Sequence, residues 1–227
     1  MSGERPMRRL EYARHLLSDY PNALRMRGLG LPVPVPEAYA HGDRRPVLLV
    51  PGVYERWHFL RPIAERLNAA GHPVHVVPAL GVNSRPIPWS GLRVLDRLRE
   101  LDLRGVALVG HSKGGLIGKS AMLGDDEGRI DRLVTVATPF AGSRLARYSI
   151  TPAIRTFSPR HPVIRTLAEE LAVNARITSI APSFDPHIPE GSELPGATNV
   201  RVAVIGHFRV LEDPETIEAV LAAVERD

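Results

Sequence analysis

The chain has 227 residues, 44% hydrophobic and 24% charged, with a formal net charge of +4 when its nine histidines are neutral. That composition suits one ordinary folded domain with a sizeable core and excludes a disordered or collagen-like chain. Cysteine is absent, which rules out disulfides, a thiol nucleophile, thiolate zinc sites and iron–sulfur ligation.

Residues 6–20 carry Met7, Leu10, Ala13 or Arg14, and Leu17 at helical spacing among arginines, which predicts an amphipathic helix packed on the domain, with peripheral contact at a membrane surface as the alternative expectation. The amino terminus has no apolar h-region before Glu11, Arg14 and Asp19, so no secretory signal is expected. No apolar run approaches the roughly 20 residues of a membrane span. The expectation is a soluble cytoplasmic protein. Lys113 and Lys119 are the only lysines among 29 basic residues, and the arginines are interleaved with acids, so no nucleic-acid partner is expected.

Residues 28–46 are rich in glycine and proline (Pro32, Pro34, Pro36) and read as an extended lead-in, which sets residues 1–45 apart from a main domain over 46–227. From there short apolar runs alternate with helical patterns. Val47–Val50 has no polar interruption, as a strand covered on both faces requires. A helix over 58–69 ends at Gly71, and Val74–Val77 is the next strand. Leu92, Leu95, Leu98 and Leu101 mark a helix, Val106–Val109 a strand, Lys113–Leu123 a helix and Leu133–Ala137 a strand. Ile177–Ile180 and Val202–Ile205 are further strands, and Ile217–Val224 is a closing helix. The alternation predicts an α/β fold, a mostly parallel doubly wound sheet flanked by helices. Residues 139–174 break the rhythm with four prolines and scattered apolar residues, and read as a small helical cap inserted over the sheet's edge.

The chemistry is written most densely in Gly110-His111-Ser112-Lys113-Gly114, a G-x-S-x-G sequence between a predicted strand and a predicted helix. A serine there rides a very tight turn. Glycines two before and two after it remove side chains that would clash, and the next helix points its N-terminus at developing negative charge. A phosphate loop is the competing reading, since Gly118-Lys119-Ser120 looks like the end of one, but the first glycine would fall on Lys113 and the match fails.

Serine needs a base, and the base an orienting carboxylate. His161, His187 and His207 follow Ser112. His207 comes directly after the strand Val202–Ile205 and before the last helix, where a base is expected, whereas His161 belongs to the cap and His187 reads as a loop or rim residue. Asp185 lies beyond the carboxyl end of the strand Ile177–Ile180. Asp125, Asp126 and Asp131 cluster at the wrong edge, Asp213 fails the chain order, and Glu190 and Glu193 are weaker rivals. Two backbone N–H groups are expected to form an oxyanion hole, one from Lys113 and one from Val53 in the loop after the first core strand. Tyr54, Trp57 and Phe140 are candidate substrate-binding residues, with Trp89, Leu145 and Ile150 as further lining; for each, plain core is an equal reading.

Four blocks together resemble the α/β-hydrolases, in particular the compact serine lipase and esterase group. They are Val47–Val53; Gly110–Gly115; Thr135–Ser143; and Ser183–Pro186 with Leu194–Val200 and Gly206-His207. The likeness covers roughly residues 46–226. Pro51 and Phe140 stand where the family usually or often has histidine, and backbone donors survive both changes. The resemblance implies hydrolysis of carboxylic esters, on small-molecule or lipid substrates, through an acyl-enzyme without metal or cofactor. Transfer to another acceptor, thioester cleavage, and a non-catalytic binding protein of this fold are the alternative expectations.

Overall fold

The structure, a computed structural model, describes residues 34–226 together with Arg14, Asp19 and Pro21. The helix expected over 6–20 and the first part of the lead-in fall almost wholly outside the described residues. From Pro34 the lead-in is extended until a single 3₁₀ turn at Glu37–Ala40.

Six strands form one sheet: β1 (Val47–Val50), β2 (Val74–Val76), β3 (Val106–His111), β4 (Ile130–Val136), β5 (Ile177–Phe184) and β6 (Thr198–Ile205). Their spatial order is β2-β1-β3-β4-β5-β6 and every pairing is parallel. Among the residues described from Pro34 onward, helices α1 (Arg61–Ala69), α2 (Ile87–Glu100), α3 (Lys113–Leu123), α4 (Pro152–Arg155) and α5 (Pro162–Glu169) lie between strands, and α6 (Pro214–Glu225) follows the last.

Side chains alternate across each strand, so β1 sends Leu48 and Val50 to one face and Val47 and Leu49 to the other. The first face is covered by α2 and α3 through Val94, Leu98, Leu116 and Ile117, and the second by α1 and α6 through Ile63, Leu67, Val220 and Val224. All four β1 residues and all six β3 residues are buried, which is why these strands read as continuous apolar runs. Proline stands in the first turn of α1, α2 and α6, where its missing N–H costs no intrahelical bond.

Residues 139–174 leave the sheet after β4 and carry the short α4 and α5. They pack on the α2/α3 layer through Phe140, Ala146, Phe157, Ile164 and Leu167, all in the first core. Tyr148 and Ile150 of the same excursion stay in solvent, Ile150 at 93% exposure.

The chain goes from β1 outward to β2 on one side, then crosses to β3 on the other. The connections leaving β1 and β3 therefore diverge, and a crevice opens beyond the carboxyl ends of those two neighbours. The loop starting at Pro51 and the turn at Ser112 both lie there.

Candidate active site

β3 ends at His111 and α3 begins at Lys113, so Ser112 alone makes the turn between strand and helix. Its backbone has φ 51° and ψ −117°, a left-handed conformation disfavoured for a residue with a Cβ. Close packing enforces it. A Cβ on Gly114 would lie 1.9 Å from the Val50 carbonyl oxygen, and one on Gly110 would lie 2.6 Å from the Gly114 carbonyl carbon. The turn is further tied by Ser112 N–H donating to the Val136 carbonyl at 2.9 Å and Thr138 Oγ1 donating to the Ser112 carbonyl at 2.9 Å.

Beyond β5, Asp185 is buried, and its carboxylate is fully engaged. Oδ1 accepts the N–H groups of His187 at 2.8 Å and Ile188 at 3.1 Å, and Oδ2 faces His207 Nδ1 at 2.7 Å. Burial pushes the Asp185 carboxyl up, but the His207 charge and hydrogen bond outweigh it and hold the group below the usual range. Burial likewise opposes the His207 cation, yet Asp185, then Glu55 and Asp19, raise its pKa above that of an ordinary histidine. Asp185 and His207 are thus brought together in ion-pair geometry. With Nδ1 donating to Asp185, Nε2 is left as the basic nitrogen.

Ser112 and His207 meet through their neighbours. The ring of His111 lies 4.8 Å from that of His207, and His111 Nε2 is 3.0 Å from the His207 carbonyl oxygen. The Ser112 side chain makes no capping hydrogen bond to α3, so its Oγ is not committed to the helix it precedes.

Lys113 opens α3, where its backbone N–H has no partner within the helix. Its side chain turns away, and the buried Nζ donates to the carbonyls of Asn83, at 2.8 Å, and Arg85. Burial brings that ammonium's pKa down to about 8. Asn83 in turn donates to the Pro51 carbonyl at 2.6 Å, which joins the loop after β2 to the loop after β1. Val53 is half-buried against the first core, beside Tyr54 in a left-handed turn at φ 59°. The apolar candidates scatter. Phe140 is 4% exposed within the first core, Trp57 packs edge-on against Tyr39 and under Arg61, and Trp89 is stacked between Arg85 and Arg93 at the surface.

His187 is a half-buried loop residue, as expected; its ring lies 5.1 Å from that of His207, and burial together with the His207 charge brings its pKa down to about 4. The Asp185 turn holds it there, because the His187 N–H is one of that carboxylate's donors. Three residues escaped the sequence reading. Asp19 is fully buried and accepts the N–H groups of His207, Phe208 and Arg209 at 2.8, 3.2 and 3.2 Å. Glu55 and His111 form a buried pair, Nδ1 to carboxylate at 2.9 Å. His111 carried a signal by lying inside G-x-S-x-G, whereas nothing local distinguishes Asp19 or Glu55. Among the described residues no group of three or more His, Asp or Glu side chains is arranged to hold a metal ion.

A strained serine between strand and helix, with a carboxylate–imidazole pair from the last two strands of an all-parallel sheet, defines one architecture. The chain has the α/β-hydrolase fold. Aspergillus fumigatus lipase B superposes with a TM-score of 0.70 at 19% identity, over 86% of this chain and 56% of that one. This chain therefore spans little more than half of the Aspergillus protein. The mature form of a Bacillus licheniformis lipase matches with a TM-score of 0.62 at 19% identity, covering 86% of this chain and 96% of that one. A Paleococcus ferrophilus monoacylglycerol lipase gives 0.61 at 18% identity, over 82% and 95%. No family model matches the sequence, and no curated protein matches it either. No helix among the described residues of this α/β-hydrolase fold is long and apolar enough to cross a membrane.

Proposed function

We propose that the chain is a serine hydrolase of carboxylic esters, with Ser112 as nucleophile, His207 as general base and Asp185 as its orienting carboxylate. The observation that carries this is the Asp185–His207 pair at 2.7 Å, buried and lodged against the residue that precedes Ser112. Ser112 Oγ attacks the ester carbonyl while His207 Nε2 takes its proton, and Asp185 stabilises the imidazolium that results. The tetrahedral oxyanion is held by the backbone N–H groups of Lys113 and Val53; removal of one such donor costs roughly 10²–10³ in rate. Collapse of the intermediate expels the alcohol, which takes its proton from His207 and leaves an acyl group on Ser112. Water then attacks the acyl-enzyme with His207 again as base, releasing the acid and restoring the serine.

The lipases among the structural neighbours support an ester as substrate. Pro51 and Phe140, standing where the resembled family usually or often has histidine, favour a second reading, a binding protein in which the serine has no catalytic use. Purified protein separates the two with p-nitrophenyl esters of graded acyl length and a fluorophosphonate probe. Ester hydrolysis is expected, with Ser112→Ala lowering it by at least about 10⁴-fold at unchanged circular dichroism and the probe labelling Ser112 alone. Undiminished turnover in Ser112→Ala rejects the catalytic assignment, and absence of both turnover and labelling in the unaltered protein selects the binding protein.

A further inference from the structure

Glu55 and His111 are 2% and 0% exposed, and no step above uses either. Glu55 comes directly after the turn that carries Val53, and His111 directly before Ser112. Glu55 Oε2 accepts the Gly52 N–H at 2.7 Å, and both of its oxygens lie 2.9 Å from His111 Nδ1. The opposite ring nitrogen, Nε2, faces the carbonyl oxygen of His207 at 3.0 Å. Position 52 is cut to fit, because a Cβ there would lie 2.5 Å from Glu55 Oε1.

The chemistry of these partners places one proton. A carbonyl oxygen only accepts, so Nε2 must donate. On the other side the Glu55 carboxyl takes one N–H from Gly52 and holds Nδ1 with both of its oxygens. The ring is thereby held at both nitrogens, by Glu55 on one side and by the His207 backbone on the other.

We infer that Glu55 and His111 are positioning residues: a buried carboxyl–imidazole pair that bridges the backbone of the oxyanion loop at Gly52 to the backbone of the base at His207. The pairing stands on geometry alone, and its effect on turnover rests on the ester-hydrolase reading. The pair fixes two catalytic parts that come from opposite ends of the chain, and it does so through main-chain atoms. Side-chain changes elsewhere in either loop leave the bridge intact.

Ring-nitrogen NMR of histidine-labelled protein tests the contact to the base: Nε2 of His111 is expected to carry a proton, since it faces a carbonyl oxygen, and an unprotonated Nε2 overturns the inference. Glu55→Ala removes the contacts to Gly52 and His111 and is expected to lower kcat for p-nitrophenyl butyrate 10- to 100-fold with KM within twofold. A kcat within twofold of the unaltered protein overturns the positioning role. Should Glu55→Ala fail to fold, Glu55→Asp replaces it. That carboxylate is too short to reach Gly52 and His111 together, so kcat falls, and full kcat in Glu55→Asp refutes the bridge. Absence of ester turnover in the unaltered protein defeats the ester-hydrolase reading alone; the pair is then judged by the ring nitrogens, which need no substrate.

Discussion

Asp19 accepts the backbone N–H of His207 at 2.8 Å across 188 residues of chain. The same carboxylate takes the N–H groups of Phe208 and Arg209, so it caps the turn that follows the base, and its Oδ2 lies 3.6 Å from His187 Nε2. A residue ahead of the sheet thereby fixes the backbone of one that follows the last strand. Asp19→Ala leaves three buried or half-buried donors without their acceptor. It is expected to cost about 2 kcal/mol in denaturant unfolding, as lost caps and buried charged hydrogen bonds do, and to lower kcat about tenfold. Wild-type stability in Asp19→Ala rules out the cap.

On the ester-hydrolase reading, the pH dependence of hydrolysis follows from His207. Its pKa is raised above the ordinary 6.5, against the effect of burial, by Asp185 first and then by Glu55 and Asp19. Only the neutral imidazole accepts the Ser112 proton, so activity is present above that raised pKa and lost as pH falls through it. The acid limb of kcat/KM is expected above pH 6.5. Asp185→Asn removes the principal raising charge, which moves the limb down, and lowers kcat by about 10⁴-fold because the ring loses its tautomer. Identical limbs in the two proteins show that another group controls the profile.

Lys119 gives a stability prediction apart from catalysis. It is fully buried in α3, its Nζ has no hydrogen-bond partner among the described residues, and burial brings its pKa down to about 8, with Glu170 opposing. Lys119→Met fills the same space without a charge and is expected to raise unfolding stability by about 1–2 kcal/mol near pH 7. Lys113 is lowered in the same way. Since a lysine lowered in the folded state holds its proton longer when unfolded, stability rises with pH between about 8 and 10.5. Lys119→Met leaves only Lys113 to contribute, so the rise is expected to be about halved; chemical denaturation at four pH values measures it.

Gly114→Ala tests the turn itself. Its added methyl meets the Val50 backbone carbonyl oxygen at 1.9 Å, and a backbone atom of a central strand does not yield cheaply. About 3 kcal/mol of destabilisation is expected, together with loss of fluorophosphonate labelling. Normal melting and labelling in Gly114→Ala contradict the packing described around Ser112.

Much of this was legible before any coordinates. Lys113–Leu123 and Val47–Val50 begin and end where their patterns predict, because periodicity is strong and the boundaries are marked by Ser112 and Pro51. The later strands run longer than their apolar runs. β5 continues through Pro182 and Ser183, and β6 begins at Thr198, where partly exposed residues at the sheet's margin carry no unbroken apolar signal. The Ser112 turn and the Asp185–His207 pair were readable from motif, order and strand ends. The contacts of Asp19 and Glu55 were not, since each is set by distant chain, and Trp57 and Phe140 were ambiguous because pocket and core favour the same side chains.

The left-handed residues have an uneven distribution. Of the five non-glycine residues with positive φ among those described, Tyr54, Asn83, Ser112 and Ala137 follow β1, β2, β3 and β4, and only Asp102 precedes a strand. The rim where the strands begin turns on glycine instead, at Gly71, Gly105, Gly128 and Gly196 ahead of β2, β3, β4 and β6. The two rims therefore call for opposite handling by a designer: larger residues at the starting rim's glycines add conformational tension, whereas glycine at the finishing rim relieves it and gives up the rigidity that holds Ser112 in place.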